Sequence, residues 1–223
     1  MSYRMCVLLW RCKQITTVIF LVLDFPEPIA FYPLNARYEA TEKENRQLRG
    51  IVGDVAITNG PYNEPGEAYM FYGTESSYIV FPNNGGLDIR FSITMTCWVQ
   101  PEGQDGPLVV YENFFMWIMN GKFTSLFVKP WALIQTAEVL PAGEWVHVAA
   151  SYDHNSGNNS LYINGHLTAS KNIGTGYKVA TASQTVRMET RGDLYFKGKI
   201  AELKIHDVVL NEAQIQTSII QGN

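Results

Sequence analysis

Apolar and polar residues alternate one by one over several stretches of this chain. In residues 146–152, Val146, Val148 and Tyr152 fall on one face, and His147 falls on the other. Alternation with a period of two is typical of a β-strand whose two faces meet different surroundings. Residues 93–99 repeat the pattern. Both stretches are therefore predicted to be strands with two different faces.

The last strong alternation lies near the carboxyl end. Ala201, Leu203 and Ile205 are predicted to share one face of a strand, with Glu202 on the other face. The simplest interpretation of Glu202 is an exposed strand residue that pairs with a neighbouring lysine. Further strands are predicted at 29–34, 68–72, 77–81, 108–111, 114–119, 123–129, 161–163 and 167–170.

Short turns and one cap punctuate these strands. Asn120-Gly121 and Asn164-Gly165 suit two-residue hairpins, because both central residues of such turns need a positive φ. Asn211 is predicted to cap a helix over residues 212–220, with Gln214 reaching back to it. Residues 37–49 are rich in charge and are predicted to form a solvated loop. The fold class that follows is all-β: a two-sheet antiparallel β-sandwich, or jelly roll, with a short C-terminal helix.

Composition restricts the partners. The chain has 223 residues and a net charge of −4, and its 17 basic residues form no run. Nucleic acid is therefore not expected as a partner, because phosphate binding needs a concentrated positive face. No Cys-x-x-Cys pair is present, so a structural zinc site is not expected. Cys97 lies on an apolar strand face and is predicted to be a buried hydrophobe.

The beginning of the chain differs from the rest. Basic residues precede an apolar run at 15–23, which fits a secretory signal peptide, although no small-x-small cleavage pattern follows. The run is shorter than the roughly 20 residues of a spanning helix, and an uncleaved anchor is the alternative to a signal peptide. No membrane insertion of the folded domain is expected. Residues 1–28 are thus predicted to be a signal peptide or an unstructured leader, and residues 29–223 the folded domain. The predicted location is secreted, extracellular.

Six motifs in order resemble the laminin-G-like jelly roll of the concanavalin A-like lectin and glucanase superfamily. They are Phe31-Tyr-Pro-Leu34, Ser77-Tyr-Ile79, Phe91-Ser-Ile with Trp98-Val-Gln-Pro101, Gly143-Glu-Trp-Val-His-Val-Ala149 with Tyr152-Asp153, Leu161-Tyr-Ile-Asn-Gly165, and Phe196-x-Gly-x-Ile200 with Leu210 and Ile215. The resemblance covers about 190 residues and implies a β-sandwich. The family includes adhesion modules, lectins and accessory domains of enzymes, so the fold alone does not give the function.

Similar domains often bind a structural calcium ion, and the resemblance implies where its ligands would lie. An Asp usually follows the Gly-x-Ile of the last strand, and another stands in a Phe-Asp-Gly turn. Here Ala201 and Tyr72 occupy those two positions. Calcium prefers six to eight oxygen ligands, several of them carboxylates. No cofactor is therefore expected, and a structural calcium is disfavoured, although backbone carbonyls and Glu202 remain available.

An enzyme is not expected either. Glycosidases of this superfold resemble one another in a Glu-x-Asp-x-x-Glu strand, which supplies the two carboxylates that glycoside hydrolysis needs. No Glu of this chain is followed by Asp two positions later. His147 has no acidic partner in sequence and is interpreted as structural, since a general base needs an oriented partner.

The function that survives is a non-catalytic extracellular recognition module for a glycan or an extracellular protein. Sugars stack on exposed aromatic rings in jelly-roll lectins, and the candidate rings here are Trp131, Trp117 and Tyr177. Trp117 alternates with Phe115 and is equally consistent with burial. The alternative function is a structural or adhesive protein-interaction domain that pairs through sheet edges or an exposed patch. A degenerate hydrolase is the third hypothesis.

Overall fold

The computed structural model describes residues 25–180, 185–188 and 193–221. Within these residues the chain forms fifteen strands and one helix, α1 (Glu212–Ile220). The strands are β1 (Ala30–Tyr32), β2 (Ile51–Val52), β3 (Val55–Thr58), β4 (Ala68–Tyr72), β5 (Ile79–Phe81), β6 (Ile93–Gln104), β7 (Gly106–Tyr111), β8 (Phe114–Met119), β9 (Lys122–Phe127), β10 (Ala132–Gln135), β11 (Val146–Tyr152), β12 (Asn158–Ile163), β13 (His166–Asn172), β14 (Val186–Met188) and β15 (Lys197–His206). Most of the predicted leader, with Cys6 and Cys12, lies outside the described residues.

The strands form two antiparallel sheets that pack as a sandwich. The first sheet has the order β13-β12-β11-β6-β15-β4-β3, with β1 also paired to β15. The second has the order β10-β9-β8-β7-β14-β5-β2. This arrangement confirms the predicted fold class.

The core between the sheets follows the alternation in the sequence. Val148 pairs with Cys97 across β11 and β6, and both side chains are fully buried in the core cluster. Burial raises the pKa of the Cys97 thiol to about 12, so it stays protonated and packs as a small hydrophobe. Because adjacent residues point to opposite faces, His147 lies on the outer face of the first sheet.

The predicted turns and cap are present. Asn120 and Gly121 have φ values of 53° and 70°, as the hairpin requires. The Gln214 backbone N–H donates to the Asn211 side chain at 2.9 Å, and the Asn211 N–H donates to the Gln214 side chain at 2.9 Å. Helix α1 then packs Ile215 with residues of the outer face of the first sheet.

Replacing the cap residue tests how much α1 depends on it. We expect Asn211→Ala to lower the free energy of unfolding by about 1 kcal/mol, because the N–H of Gln214 loses its acceptor. In a domain of this size that corresponds to a fall in Tm of about 2–4 °C, measured by circular dichroism. Asn84→Ala, at an exposed turn position, is the matched control. Equal Tm values for the two variants would show that the cap is dispensable.

The sequence pattern misassigned one strand face. Ala201 pairs with Trp98 and Lys204 pairs with Thr96, so β15 carries an extra residue between them. Glu202 lies in this bulge with φ 53°. Ile200 and Leu203 therefore both face the core, and Ala201 lies on the outer face with Trp98. The predicted shared face of Ala201, Leu203 and Ile205 is wrong because a bulge shifts the alternation by one residue.

Candidate functional site

A cleft opens beside this bulge, where three separate parts of the chain meet. The loop after β1, the β3–β4 loop and the bulge of β15 enclose a volume of about 300 Å³. We call it the Tyr62 cleft. Its lining residues are Phe31, Pro33, Asn35, Arg37, Tyr38, Lys43, Pro61, Tyr62, Glu64, Glu67 and Glu202.

Asn35 fixes the two loops relative to each other. Its side-chain oxygen accepts from the backbone N–H of Tyr38 at 3.0 Å, which closes a turn. Its amide nitrogen donates to the Glu67 carboxylate at 2.8 Å. The backbone N–H of Ala36 also donates to the carbonyl of Gly66 at 2.7 Å. Hydrogen bonds therefore hold the loop after β1 and the β3–β4 loop together on the two sides of the cleft.

Several backbone positions around the cleft are left-handed without being glycine. Leu34 has φ 58°, Asn63 has φ 61°, and Glu202 has φ 53°. Such conformations are costly for Leu and Glu, and they concentrate at functional sites. The Glu202 backbone N–H donates to the Pro33 carbonyl at 3.0 Å, which ties the bulge to the loop after β1.

Tyr62 offers the most accessible ring of the cleft. It is 51% exposed, and one side of its ring contacts Trp98 edge-on, with centroids 5.9 Å apart. Burial of part of the ring, together with Glu202 and Glu64, raises the pKa of Tyr62. The hydroxyl therefore stays neutral near pH 7 and can both donate and accept a hydrogen bond.

Charges of both signs surround the ring. The Arg37 guanidinium lies 5.1 Å from the Tyr38 ring centroid, and the Lys43 ammonium lies 4.9 Å from that of Phe31. Glu202 is mostly buried and lies 3.7 Å from the Lys204 ammonium. Burial raises the pKa of Glu202, and Lys204 opposes that shift. The prediction that Glu202 pairs with a lysine is confirmed, but its predicted exposure is wrong, because the bulge turns it inward.

The three rings predicted from the sequence do not line this cleft and do not come together. Trp131 is 71% exposed at the β9–β10 turn of the second sheet. Trp117 is 4% exposed and packs with Phe115 and Leu126, so its ring is not accessible for stacking. Tyr177 is partly buried against the core, 6.4 Å from Phe127. A ligand role for Trp131 or Tyr177 stays a prediction.

Tyr62 was not among the aromatic rings predicted from the sequence to bind a ligand. A signal was nevertheless present, because an aromatic ring between Pro61 and Asn63 in a Gly- and Pro-rich loop is seldom a core residue. Glu42 was also misjudged. It lies in the predicted solvated loop, yet its side chain is fully buried. Burial acts to raise its pKa, but hydrogen bonds from Arg46 and Phe31 hold it below its usual value.

The residues do not fit the calcium site that the family resemblance implies. Ala201 places a methyl group where the resemblance implies a carboxylate ligand. In the loop after β1, the carboxylate oxygens of Glu42 already accept four hydrogen bonds, so they are not available to a metal ion. Among residues 25–180, 185–188 and 193–221, no group of three or more His, Cys, Asp or Glu side chains is arranged to hold a metal ion.

The buried histidines lie on a different surface, the outer face of the first sheet. His147 is 3% exposed, with its ring centroid 5.4 Å from that of Trp98, and His206 lies edge-on to Phe25. Burial, and then the nearby Lys204 ammonium, lower the pKa of His147 to about 3 and that of His206 to about 4. Both rings are thus neutral near pH 7. The Nδ1 atom of His147 is buried and has no hydrogen-bond partner among the described residues.

A laminin-G family model, described as the concanavalin A-like lectin/glucanases superfamily, matches residues 73–216, more than half of the chain. The chain belongs to this superfamily. The two antiparallel sheets and the motif order agree with that membership.

Solved structures place this concanavalin A-like domain beside other jelly rolls. Domain 4 of AbnA, a GH43 extracellular arabinanase from Geobacillus stearothermophilus solved with arabinotriose, aligns with a TM-score of 0.71 and 22% identity, over 87% of this chain and 99% of that one. The binding domain of Paraclostridial Mosquitocidal Protein 1 aligns with a TM-score of 0.69 and 15% identity, over 86% of this chain. The botulinum neurotoxin serotype G binding domain aligns with a TM-score of 0.68 and 14% identity, over 87% of this chain.

These likenesses establish the fold. The chain spans about half the length of the two toxin binding domains, at 51% of each. Comparison with curated protein sequences gave no significant match. Across the part of this concanavalin A-like domain that the structure describes, no helix is sufficiently long and apolar to span a membrane.

Proposed function

We propose that this protein is a non-catalytic extracellular recognition module that binds a glycan in the Tyr62 cleft. The observation that carries the proposal is the combination of a half-exposed ring with hydrogen-bonding side chains in one cleft of about 300 Å³. Ligand sites typically pair an apolar surface with a few placed polar groups. Tyr62 supplies the apolar surface. Asn35, Arg37 and Glu67 supply hydrogen-bond donors and acceptors.

Two further observations support a sugar ligand. Sugars present hydroxyls that both donate and accept, which matches a cleft that mixes amide, guanidinium and carboxylate groups. The structurally similar domain 4 of AbnA was solved with arabinotriose. Short arabino-oligosaccharides are therefore the first probes to use here.

A hydrolase is the second candidate, because several carboxylates line the cleft. The pKa of Glu202 is raised, and Glu67 contributes to that shift, as in a paired acid and base. However, Glu202 lies 3.7 Å from the Lys204 ammonium, and Glu67 accepts a hydrogen bond from Asn35. The adjacent ammonium opposes the upward shift that burial gives the pKa of Glu202, and Asn35 already occupies one oxygen of Glu67. These contacts favour binding over hydrolysis.

The adhesive alternative is favoured by one edge of the first sheet. Strand β13 is exposed over nearly its whole length and ends the sheet order. Unpaired edge strands can pair with another chain. Lys171 on this strand is the kind of residue that discourages such pairing, so we place this function behind glycan binding.

The full-length chain should be screened on a glycan array that includes arabinotriose and longer arabino-oligosaccharides, in calcium and again in EGTA. We expect binding to a small set of sugars, with equal signals in both buffers. Each bound sugar is then incubated with the protein and analysed for cleavage, and we expect none. If a sugar is cleaved, and the Glu202→Gln variant no longer cleaves it, the protein is a hydrolase and the binding proposal is wrong. Silence on the array would reject the glycan proposal and favour the adhesive alternative.

A further inference from the structure

Two cations pair with carboxylates of the loop after β1 and of the last strand, the strand in which the superfamily resemblance implies a calcium ligand at position 201. The Arg46 guanidinium lies 2.8 Å from the buried Glu42 carboxylate, and the Lys204 ammonium lies 3.7 Å from Glu202. Glu42 belongs to the loop after β1, and Glu202 belongs to the last strand. We call these four side chains the cation lock.

The first half of the lock saturates Glu42. One carboxylate oxygen accepts from the Phe31 backbone N–H at 3.1 Å and from Arg46 Nη2 at 2.8 Å. The other accepts from the backbone N–H groups of Glu44 at 3.0 Å and Arg46 at 2.8 Å. Arg46 Nη1 also donates to the Pro28 carbonyl at 2.9 Å. Arg46 and Glu42 thereby hold the loop after β1 against the chain that enters that strand.

The second half of the lock holds the bulge. Lys204 Nζ donates to the Ser218 carbonyl of α1 while it faces Glu202. The Lys204 residue is only 5% exposed. Such a charge is tolerated in a buried position only with a partner of opposite charge and with hydrogen bonds. Lys204 therefore joins the bulged last strand to the helix.

Both halves meet at one residue. Phe31 pairs with Lys204 in the sheet and donates its backbone N–H to Glu42. The Lys204 ammonium also lies 5.0 Å from the Phe31 ring centroid. The loop carboxylate and the last-strand carboxylate are therefore each neutralised by an internal cation, on either side of the same aromatic residue.

We propose that Arg46 and Lys204 do the structural work of a divalent cation in this domain, so that the loop after β1 and the last strand are held together without calcium. A divalent cation would have to displace both internal cations to reach these carboxylates. The consequence is a domain whose stability does not depend on calcium and does depend on Lys204. This inference concerns stability and stands whether or not the cleft binds a glycan.

The first test needs no variant. The Tm of the full-length wild-type protein is measured after EGTA treatment, and again in millimolar calcium chloride or magnesium chloride. We expect the values to agree within about 1 °C, because a ligand that does not bind the folded state cannot stabilise it. A rise of several degrees that is specific to calcium would overturn the proposal.

The second test removes one cation. Lys204→Met leaves Glu202 without its ammonium partner and should lower Tm by on the order of 10 °C. Lys171→Met, at an exposed position of β13, is the matched control and should leave Tm nearly unchanged. A Lys204→Met variant as stable as Lys171→Met would overturn the role of Lys204.

The third test separates the pair that Arg46 makes with the buried Glu42 carboxylate from a pair in the same loop in which both side chains are exposed. Arg46→Gln should lower Tm clearly, whereas Arg49→Gln, which breaks an exposed pair with Glu39, should lower it little. If Arg46→Gln does not fold, Arg46→Lys, which keeps the charge, should fold with a reduced Tm. Equal Tm values for Arg46→Gln and Arg49→Gln would contradict the lock.

Discussion

We expect the domain to lose several kcal/mol of stability between pH 7 and pH 4 because of two buried histidines. The folded-state pKa values are about 3 for His147 and about 4 for His206, whereas an unfolded histidine has a pKa of about 6.5. Between these values the unfolded chain binds more protons than the folded one. By linkage, the free energy of unfolding then falls as the pH falls through this window.

Other groups near the helix modify this slope without reversing it. Glu42 has a lowered pKa, so protonating it at acid pH also destabilises the fold. Glu202 has a raised pKa and acts in the opposite direction, because its protonation removes a buried charge. The two histidines outweigh this single opposing carboxylate.

Urea unfolding followed by tryptophan fluorescence at several pH values between 7.5 and 4 measures the effect. The double variant His147→Leu, His206→Leu should show a much shallower pH dependence than the wild type. His166→Gln is the matched control, because His166 is exposed and its ring pairs with Glu212. A wild-type stability that stays constant from pH 7 to pH 4 would show that these rings are hydrated and not buried.

The second large effect concerns ligand affinity. We expect Tyr62→Ala to weaken binding of the best sugar from the array at least about tenfold, since an aromatic contact contributes about 1 kcal/mol beyond its buried area. The ring is half-exposed, so its loss should change Tm little. Isothermal titration calorimetry measures the affinity, and circular dichroism checks the fold.

Trp131→Ala is the informative comparison, because Trp131 is the most exposed of the rings predicted from the sequence. If the Tyr62 cleft is the site, Trp131→Ala should bind as the wild type does. The reverse outcome, with binding lost in Trp131→Ala and kept in Tyr62→Ala, would move the site to the β9–β10 turn. The two variants thus distinguish the structure-based site from the sequence-based one.

The regular parts of the fold could be predicted because they depend on neighbours in sequence. Alternation in residues 146–152, the Asn120-Gly121 hairpin and the Asn211 cap all rest on local backbone chemistry. Four strands, β2, β3, β10 and β14, were missed. Each has two to four residues, which is too short for alternation to be recognised.

The candidate site could not be predicted in the same way, because its parts are distant in sequence. Asn35, Tyr62 and Glu202 come from two loops and a strand bulge that meet only in the folded sandwich. The bulge at Glu202 also reverses the face of Ala201, and no local pattern announces it. The many charged residues around Glu42 predicted a solvent-exposed loop. Glu42 is nevertheless buried, because Arg46 and three backbone N–H groups donate hydrogen bonds to its carboxylate.

The most direct test of glycan recognition at the Tyr62 cleft is a nuclear magnetic resonance titration of the full-length protein with the best sugar from the array. We expect the largest chemical-shift changes in the loop after β1, in the β3–β4 loop and at Glu202. In the Tyr62→Ala variant these changes should be absent. Changes confined to the β9–β10 turn around Trp131, or saturable changes elsewhere on the sandwich, would contradict glycan recognition at this cleft.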